Sequence, residues 1–432
     1  MPKGKTGLVL SGGGGRGAYQ IGVWQALREK DIQISVVTGT SVGALNGALI
    51  AQGDYEKAVN IWAEITSKKI MDFEPKGDVF TKKGQFQITK AVAEKAIREK
   101  CIDQTPLKKL IQTHLLPEKI ISSKIDFGLT AATYPALRPV RLFADEIAPE
   151  KLVDYLMASS ACFPFFKPYS FDGNSYIDGG YIDYIPISLA LSKKPNAIIA
   201  VDLKAPGFRR PVFRSDVPVT WIEPKSDLGF LLLFDADYAR VNIRRGYLDT
   251  KRAFGDHIGG SYSFEKGSFS ELHQRFQRVM QSLLQRYFPG KGMGDEAVRK
   301  RLIRLALRVL LTKSDKKTIE HNPAVACAEV VASVFRFSPL EVYTEKSFTD
   351  KLFAELAMLP SWDIEKIEDL PAFLQNITDE RILAKLFYSV LCQDQENNRR
   401  NSKASVLAAL APGAFLAGFF CYLLRPEQKN FQ

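Results

Sequence analysis

Histidine and cysteine are scarce in this 432-residue chain, with four of the first and five of the second. The cysteines, Cys101, Cys162, Cys327, Cys392 and Cys421, are odd in number, scattered and without a Cys-x-x-Cys pair. That fits reduced thiols in a cytoplasmic setting better than a disulfide framework. No zinc-ligand spacing can be drawn from so few ligands, and neither a metal nor a cofactor is expected. The first residues, MPKGKTGLVLSGGGGRG, hold too short an apolar run for a signal-peptide core. Acidic residues are outnumbered, 48 against 59 basic, for a formal net charge of +11. A basic chain binds phosphates, on nucleic acid or on anionic lipid headgroups. With no RNA-binding signature, nucleic acid is the weaker reading of the two.

What the chain does have is ordinary globular composition, 46% hydrophobic and 25% charged. Its length exceeds what one core usually fills, so two domains are expected. The run 7–10 (GLVL) reads as a buried strand stopped by glycines, and 18–30 places Ile21, Trp24 and Leu27 at helical spacing. A second β-branched run at 35–38 precedes an Ala- and Leu-rich helix at 44–50. Strand, tight turn, helix thus occurs twice in 50 residues, the pattern of an α/β fold with a mostly parallel sheet. Residues 54–120 read as helix-rich, with an insertion around 73–84. Further strands are expected at 125–133, 140–143 and 197–203, with a helix at 151–161. The α/β domain is expected to end near residue 205, and 206–432 to be mostly helical. Within it, 295–311 patterns as a basic amphipathic helix, with Arg299, Lys300, Arg301, Arg304 and Arg308 opposite Leu302, Leu305, Val309 and Leu310. The uncharged stretch 405–424 admits two readings. It is about long enough to cross or anchor in a bilayer, but Pro412–Gly413 in its middle favours a packed helical hairpin.

Three motifs carry chemistry. Gly39-Thr40-Ser41-Val42-Gly43 lies between a strand and a helix, the setting of a nucleophile elbow. Such a turn leaves no room for side chains at Gly39 and Gly43, and the following helix points free N–H groups at the site. A plain serine-capped turn fits the pentapeptide as well. Ser11 to Gly17, with Gly12, Gly13, Gly14, Gly15 and Arg16, follows the first strand, where backbone amides can bind an anion. Gly12, Gly14 and Gly17 also satisfy a dinucleotide fingerprint, but that pattern alone is weak. The amides of Gly13 and Gly14, with that of Val42, are the candidates for an oxyanion hole. The third motif is Asp178-Gly179-Gly180, after a short strand end. His114, His257, His273 and His321 all stand away from strand ends of the α/β region. His257 could satisfy the chain order of a Ser-acid-His triad, but each histidine reads better as a surface or packing residue, and Asp178 is the preferred base.

These motifs in this order, with Ala158-Ser159-Ser160-Ala161-Cys162-Phe163-Pro164 before the Asp, resemble the patatin-like phospholipase family over residues 5–205. Arg244 to Gly255 (RRGYLDTKRAFG) is also similar to sequence that follows this domain in some bacterial members. The resemblance implies a three-layer patatin-like α/β sandwich with a mostly parallel sheet, followed by a largely α-helical C-terminal region. It implies a Ser41–Asp178 dyad cleaving acyl esters of phospholipids or neutral lipids through an acyl-serine. Gly12 to Gly15 would form the oxyanion hole, and Arg16, Gly17, Gly39, Gly43, Gly179 and Gly180 would support the motifs. Tyr184 stands where the family often has Asn, which puts local support of that loop in question. A lipid or phospholipid substrate and contact with a membrane surface are expected. The alternative is a catalytically silent lipid-binding or regulatory protein on the same fold.

Overall fold

The computed structural model describes residues 4–211, 216–273, 300, 304, 307–362, 366–369, 372–373, 376–396 and 410–425. They divide into two compact units, Met1–Ala253 and Phe254–Gln432.

The first unit is built on one sheet. β1 (Thr6–Leu10) is followed by α1 (Ala18–Glu29), β2 (Ile34–Thr40) and α2 (Val42–Gln52). Helices α3 (Tyr55–Ala63), α4 (Ser67–Ile70), α5 (Lys82–Arg98), α6 (Thr105–His114) and α7 (Pro117–Ile121) come next. Then follow β3 (Asp126–Tyr134), β4 (Pro139–Phe143), α8 (Leu152–Ser160), β5 (Tyr169–Phe171), β6 (Asn174–Asp178), α9 (Ile187–Ser192), β7 (Ala197–Val201), β8 (Val219–Ile222) and α10 (Ala236–Ala253). The order across the sheet is β5-β6-β3-β2-β1-β7-β8, with β4 also on β3. The centre, β3-β2-β1-β7-β8, is parallel, and β4, β5 and β6 pair antiparallel.

The central strands are rich in apolar residues because both faces are covered. Val9, Val36, Ile198 and Ala200 pack with Ile187, Leu189 and Ala190 of α9 on one face. Val37, next in sequence to Val36, meets α2 on the other, as the two-residue period of a strand requires. The helices, sheet and helices therefore form the three layers expected.

Two elements depart from the sequence expectations. β8 extends the sheet past residue 205, and its Val-Thr-Trp-Ile is too short a signal to separate from the surrounding Pro-rich stretch. α10 then lies along α1, so the first compact unit reaches Ala253. Added Cβ atoms on Gly22 and Gly246 would lie 1.8 Å and 2.0 Å from carbonyl oxygens of the facing helix. Tyr19 donates to Asp249 across the same contact at 2.8 Å.

The second unit is largely helical, with a small sheet of His257–Ile258, Ser263–Glu265 and Val342–Tyr343. Helices Pro323–Val334, Glu345–Met358, Glu380–Glu396 and Pro412–Leu423 surround an aromatic core that includes Phe264, Phe269, Phe348, Phe387 and Phe420. Of the basic stretch 295–311, most lies outside the described residues. Lys300, Arg304 and Arg308 are exposed and Leu310 is buried, as its pattern requires. Of 405–424, residues 405–409 lie outside the description too. The packing of the remainder corrects the membrane-anchor reading. Pro412–Leu423 is a twelve-residue helix, about 18 Å long against a hydrocarbon core of about 30 Å. Its apolar residues spend their surface inside the unit, with Phe419 and Phe420 buried. Among the described residues, no helix is long and apolar enough to cross a membrane.

Candidate functional site

β2 ends at Thr40 and α2 begins at Val42, so Ser41 alone makes the turn. It does so at φ 56°, ψ −127°, a conformation that residues with a Cβ avoid. The strain marks the residue as one held for a purpose. A Cβ on Gly39 would stand 2.1 Å from the Gly43 carbonyl oxygen, and one on Gly43 2.3 Å from that of Leu10. Both glycines are therefore steric requirements of this turn. The Ser41 amide donates to Ser159 Oγ at 2.9 Å. The Thr40 hydroxyl donates to the Asp183 carbonyl at 2.8 Å and lies 2.6 Å from that of Thr130. Those bonds tie the end of β2 to β3 and to the loop after β6.

Asp178 closes β6. It pairs with Ala131 of β3, while Thr130 of β3 pairs with Thr40 of β2. Register thus sets the carboxylate and the serine one strand apart, on the wall of one cavity. The Gly180 amide donates to Asp178 Oδ1 at 2.7 Å, and the Gly179 carbonyl accepts from Ile182 and Asp183 to close the turn. Asp178 is 6% exposed. Burial pushes its carboxyl up to about 6, against the opposing pull of the Ser41 hydroxyl and the Gly180 amide. It is therefore still mostly ionised at neutral pH, yet a stronger base than an ordinary aspartate.

The glycine-rich loop divides by the occupancy of its amides. Gly12 donates to the Tyr184 carbonyl at 2.9 Å and Gly15 to the Leu231 carbonyl at 2.6 Å. Both are spent on holding the loop, which corrects the expectation that they serve as oxyanion donors. Gly13 and Gly14 line the cavity beside Ser41, and among the described residues their amides meet no intramolecular acceptor. Gly17 presents its carbonyl to Asn46 of α2 at 3.0 Å. Arg16 reaches out of the loop to the carbonyls of Gly229 and Lys204, each at 2.8 Å.

Tyr184 supports the loop that its departure from the family pattern had put in question. It is buried and takes the Gly12 amide on its carbonyl. Its phenol pairs with Asp202, and burial first, then that carboxylate, raises the phenol's pKa. The main chain does much of this work, which residue identity in a motif does not reveal. Ser159 was visible only as part of a motif, its bond to the elbow being a matter of tertiary contact. His114 lines the cavity, its pKa lowered by burial and by Lys57 and Lys69. His257, His273 and His321 belong to the second unit. The Ser41 hydroxyl acts on the pKa of Asp178 and not on that of His114.

Ser41 and Asp178 share a cavity of about 490 Å³, within the range of small-molecule sites. Its walls are mostly apolar: Leu45 and Leu49 of α2, Trp62, Ile65 and Ile70, Leu107, Leu110 and Ile111 of α6, Phe163, Phe165 and Phe166, and Leu231, Leu232 and Phe234. Among the described residues, no group of His, Cys, Asp and Glu could hold a metal ion.

Residues 8–191 match the family model for patatin-like phospholipase. Patatin-like phospholipase domain-containing protein 7 of Rattus norvegicus is 30% identical over 205 residues, 45% of this chain and 13% of that protein. Lysophospholipase NTE1 of Chaetomium globosum is 27% identical over 209 residues, 46% of this chain and 12% of that protein. The match thus spans about an eighth of the length of these curated relatives. The solved structure of VipD from Legionella pneumophila aligns at 12% identity with a TM-score of 0.39, covering 100% of this chain and 94% of that one. The α/β half of the chain, over residues 8–191, carries a patatin-like phospholipase domain.

Proposed function

We propose that the chain is a lipid acyl hydrolase, acting on phospholipids or related acyl esters through a Ser41–Asp178 dyad. The observation that carries this is that Ser41 and buried Asp178 share one apolar cavity, where the hydroxyl lowers the carboxyl's pKa. The family relationship supports general lipid hydrolase activity; the roles of single residues are the finer reading.

An acyl chain lies along the apolar wall, its ester carbonyl over Ser41. Asp178 takes the hydroxyl proton as Ser41 Oγ bonds to the carbonyl carbon. The amides of Gly13 and Gly14, with that of Val42 at the start of α2, face the developing oxyanion. Collapse breaks the ester C–O bond, and the leaving alcohol takes the proton from Asp178. Water then attacks the acyl-Ser41, giving a proton to Asp178. The carboxylic acid departs, and Ser41 recovers its proton. The hydrolase domain begins near residue 5 and takes in β8 and α10 beyond residue 205, within the first unit. The five unbridged cysteines suit a reducing compartment such as the cytoplasm.

Ser41→Ala is expected to abolish release of fatty acid from phospholipid and labelling by a fluorophosphonate probe, with an unchanged circular dichroism spectrum. Full turnover in that variant removes the assignment. Absence of probe labelling in the native chain, with lipid still bound, would favour the silent lipid-binding alternative.

A further inference from the structure

We propose that the rim of the Ser41 cavity is a docking face for an anionic lipid bilayer. This rests on the lipid hydrolase reading and adds where on the first unit the substrate's membrane meets the protein. Large apolar side chains left clustered in water mark interaction sites. Four stand at this rim, Tyr134, Leu137, Tyr181 and Phe208, between 39% and 56% exposed. Their contacts knit them together. The Tyr134 ring packs against Phe163 at 5.4 Å between centroids, and the Tyr181 hydroxyl donates to the Phe163 carbonyl. Phe208 donates its amide to Gly180 and accepts from that of Tyr184. Leu137 sits in the same hairpin turn as Tyr134, its amide donating to Thr133. Phe163, Tyr181 and Phe208 also line the cavity, so the apolar surface continues inward to Ser41.

The loops 134–138, 163–168 and 204–211 contain Arg138, Lys167, Lys204, Arg209 and Arg210 and no acidic residue, and in the turn that carries Tyr181 the acidic Asp178 and Asp183 are buried. Lys204 and Arg209 have acidic neighbours in Glu223 and Asp202. Arg138 and Lys167 are exposed. An apolar centre within basic loops complements a bilayer of apolar chains under anionic headgroups. The contact also answers a physical need. An acyl chain crossing water to reach the cavity would meet about a fourfold partition penalty per methylene, and a bilayer seated on the rim removes the crossing.

The test uses the full chain carrying Ser41→Ala, so that vesicles are not consumed. Leu137→Asn with Arg138→Glu alters the rim outside the cavity lining, and Asn suits the positive φ of 53° at position 137. Co-sedimentation is measured with vesicles of phosphatidylcholine alone and with phosphatidylserine added. Reversing one charge at the surface changes two charge units, so partition onto the anionic vesicles is expected to fall about thirtyfold. With Ser41 restored, cleavage of vesicle lipid should fall in parallel, while turnover of a water-soluble short-chain ester stays the same. Unchanged partition in the double variant overturns the proposal. So does light scattering that shows a native dimer broken by the variant, which would give the face to a second copy of the chain. If the native chain cleaves neither lipid nor ester but the variant still loses vesicle binding, the hydrolase reading fails and the docking face stands.

Discussion

Each unit buries a carboxylate, and the two stand in opposite surroundings. Glu329, in the second unit, is fully buried and saturated. Its Oε1 accepts the amides of Gly260, Ser261 and Tyr262 at 2.9, 2.6 and 2.9 Å, and its Oε2 pairs with the Ser314 hydroxyl. Asp178, in the first unit, accepts from one amide, has its pKa lowered by the Ser41 hydroxyl and faces a cavity. Desolvation raises the pKa of both. A carboxylate surrounded by fixed donors is a pin that holds a loop. One left short of donors beside an open volume keeps its basicity for a proton that arrives with the reaction. Burial alone does not separate structural from chemical carboxylates; the count of donors and the neighbouring cavity do.

Asp178→Asn should break the comparison most sharply. Loss of the base is expected to lower fatty-acid release about a thousandfold. The same change should make the fold more stable at neutral pH. A carboxyl whose pKa rises from 3.8 to about 6 on folding favours the folded state when protonated. That contribution is complete below about pH 4 and is lost as pH rises through 6. Ionised Asp178 therefore costs about 3 kcal/mol at pH 7, and a neutral Asn that still accepts from Gly180 avoids it. Urea unfolding that shows the variant less stable than the native chain would contradict this account.

Glu329→Gln is the counterpart. It leaves at least one buried donor or acceptor without its partner, so the second unit should lose about 1–3 kcal/mol, read by denaturation. Fluorophosphonate labelling of Ser41 should be unaffected. A loss of labelling equal to that of Asp178→Asn would erase the distinction between the two carboxylates.

A pH series sharpens it further. With Asp178 as base, kcat/KM for a soluble ester should rise about tenfold per pH unit below about 6 and level off above it. An inflection near 4 would mean that burial does not tune this group. The smallest effect concerns the cavity that Glu329 lacks. Ile111→Phe adds bulk to the wall, and the ratio of turnover on palmitoyl to butyryl esters should drop severalfold. An unchanged ratio would show that acyl chains do not lie against α6.

Much of the site was legible because its constraints are local. Gly39 and Gly43 flank the one residue that must turn on itself, and the two β-α units near the N-terminus announce themselves by period and composition. Less was legible where short elements depend on their neighbours. β8 carries four residues of weak pattern and becomes a strand because β7 offers a free edge. The helix at 412–423 is as apolar as a membrane segment, and its surroundings rather than its composition make it a core element.

From sequence alone came the α/β character of the first half, the nomination of Ser41 and Asp178, and the glycines that allow their turns, since each follows from residue type and spacing along the chain. Only the tertiary structure decided that strand register brings the hydroxyl to the carboxylate, that Gly13 and Gly14 keep the amides Gly12 and Gly15 have spent, and that α6 and the loops around Phe163 and Leu231 wall one apolar cavity. Those are properties of partners far apart in the chain, and desolvation and hydrogen-bond occupancy exist only once the partners have met.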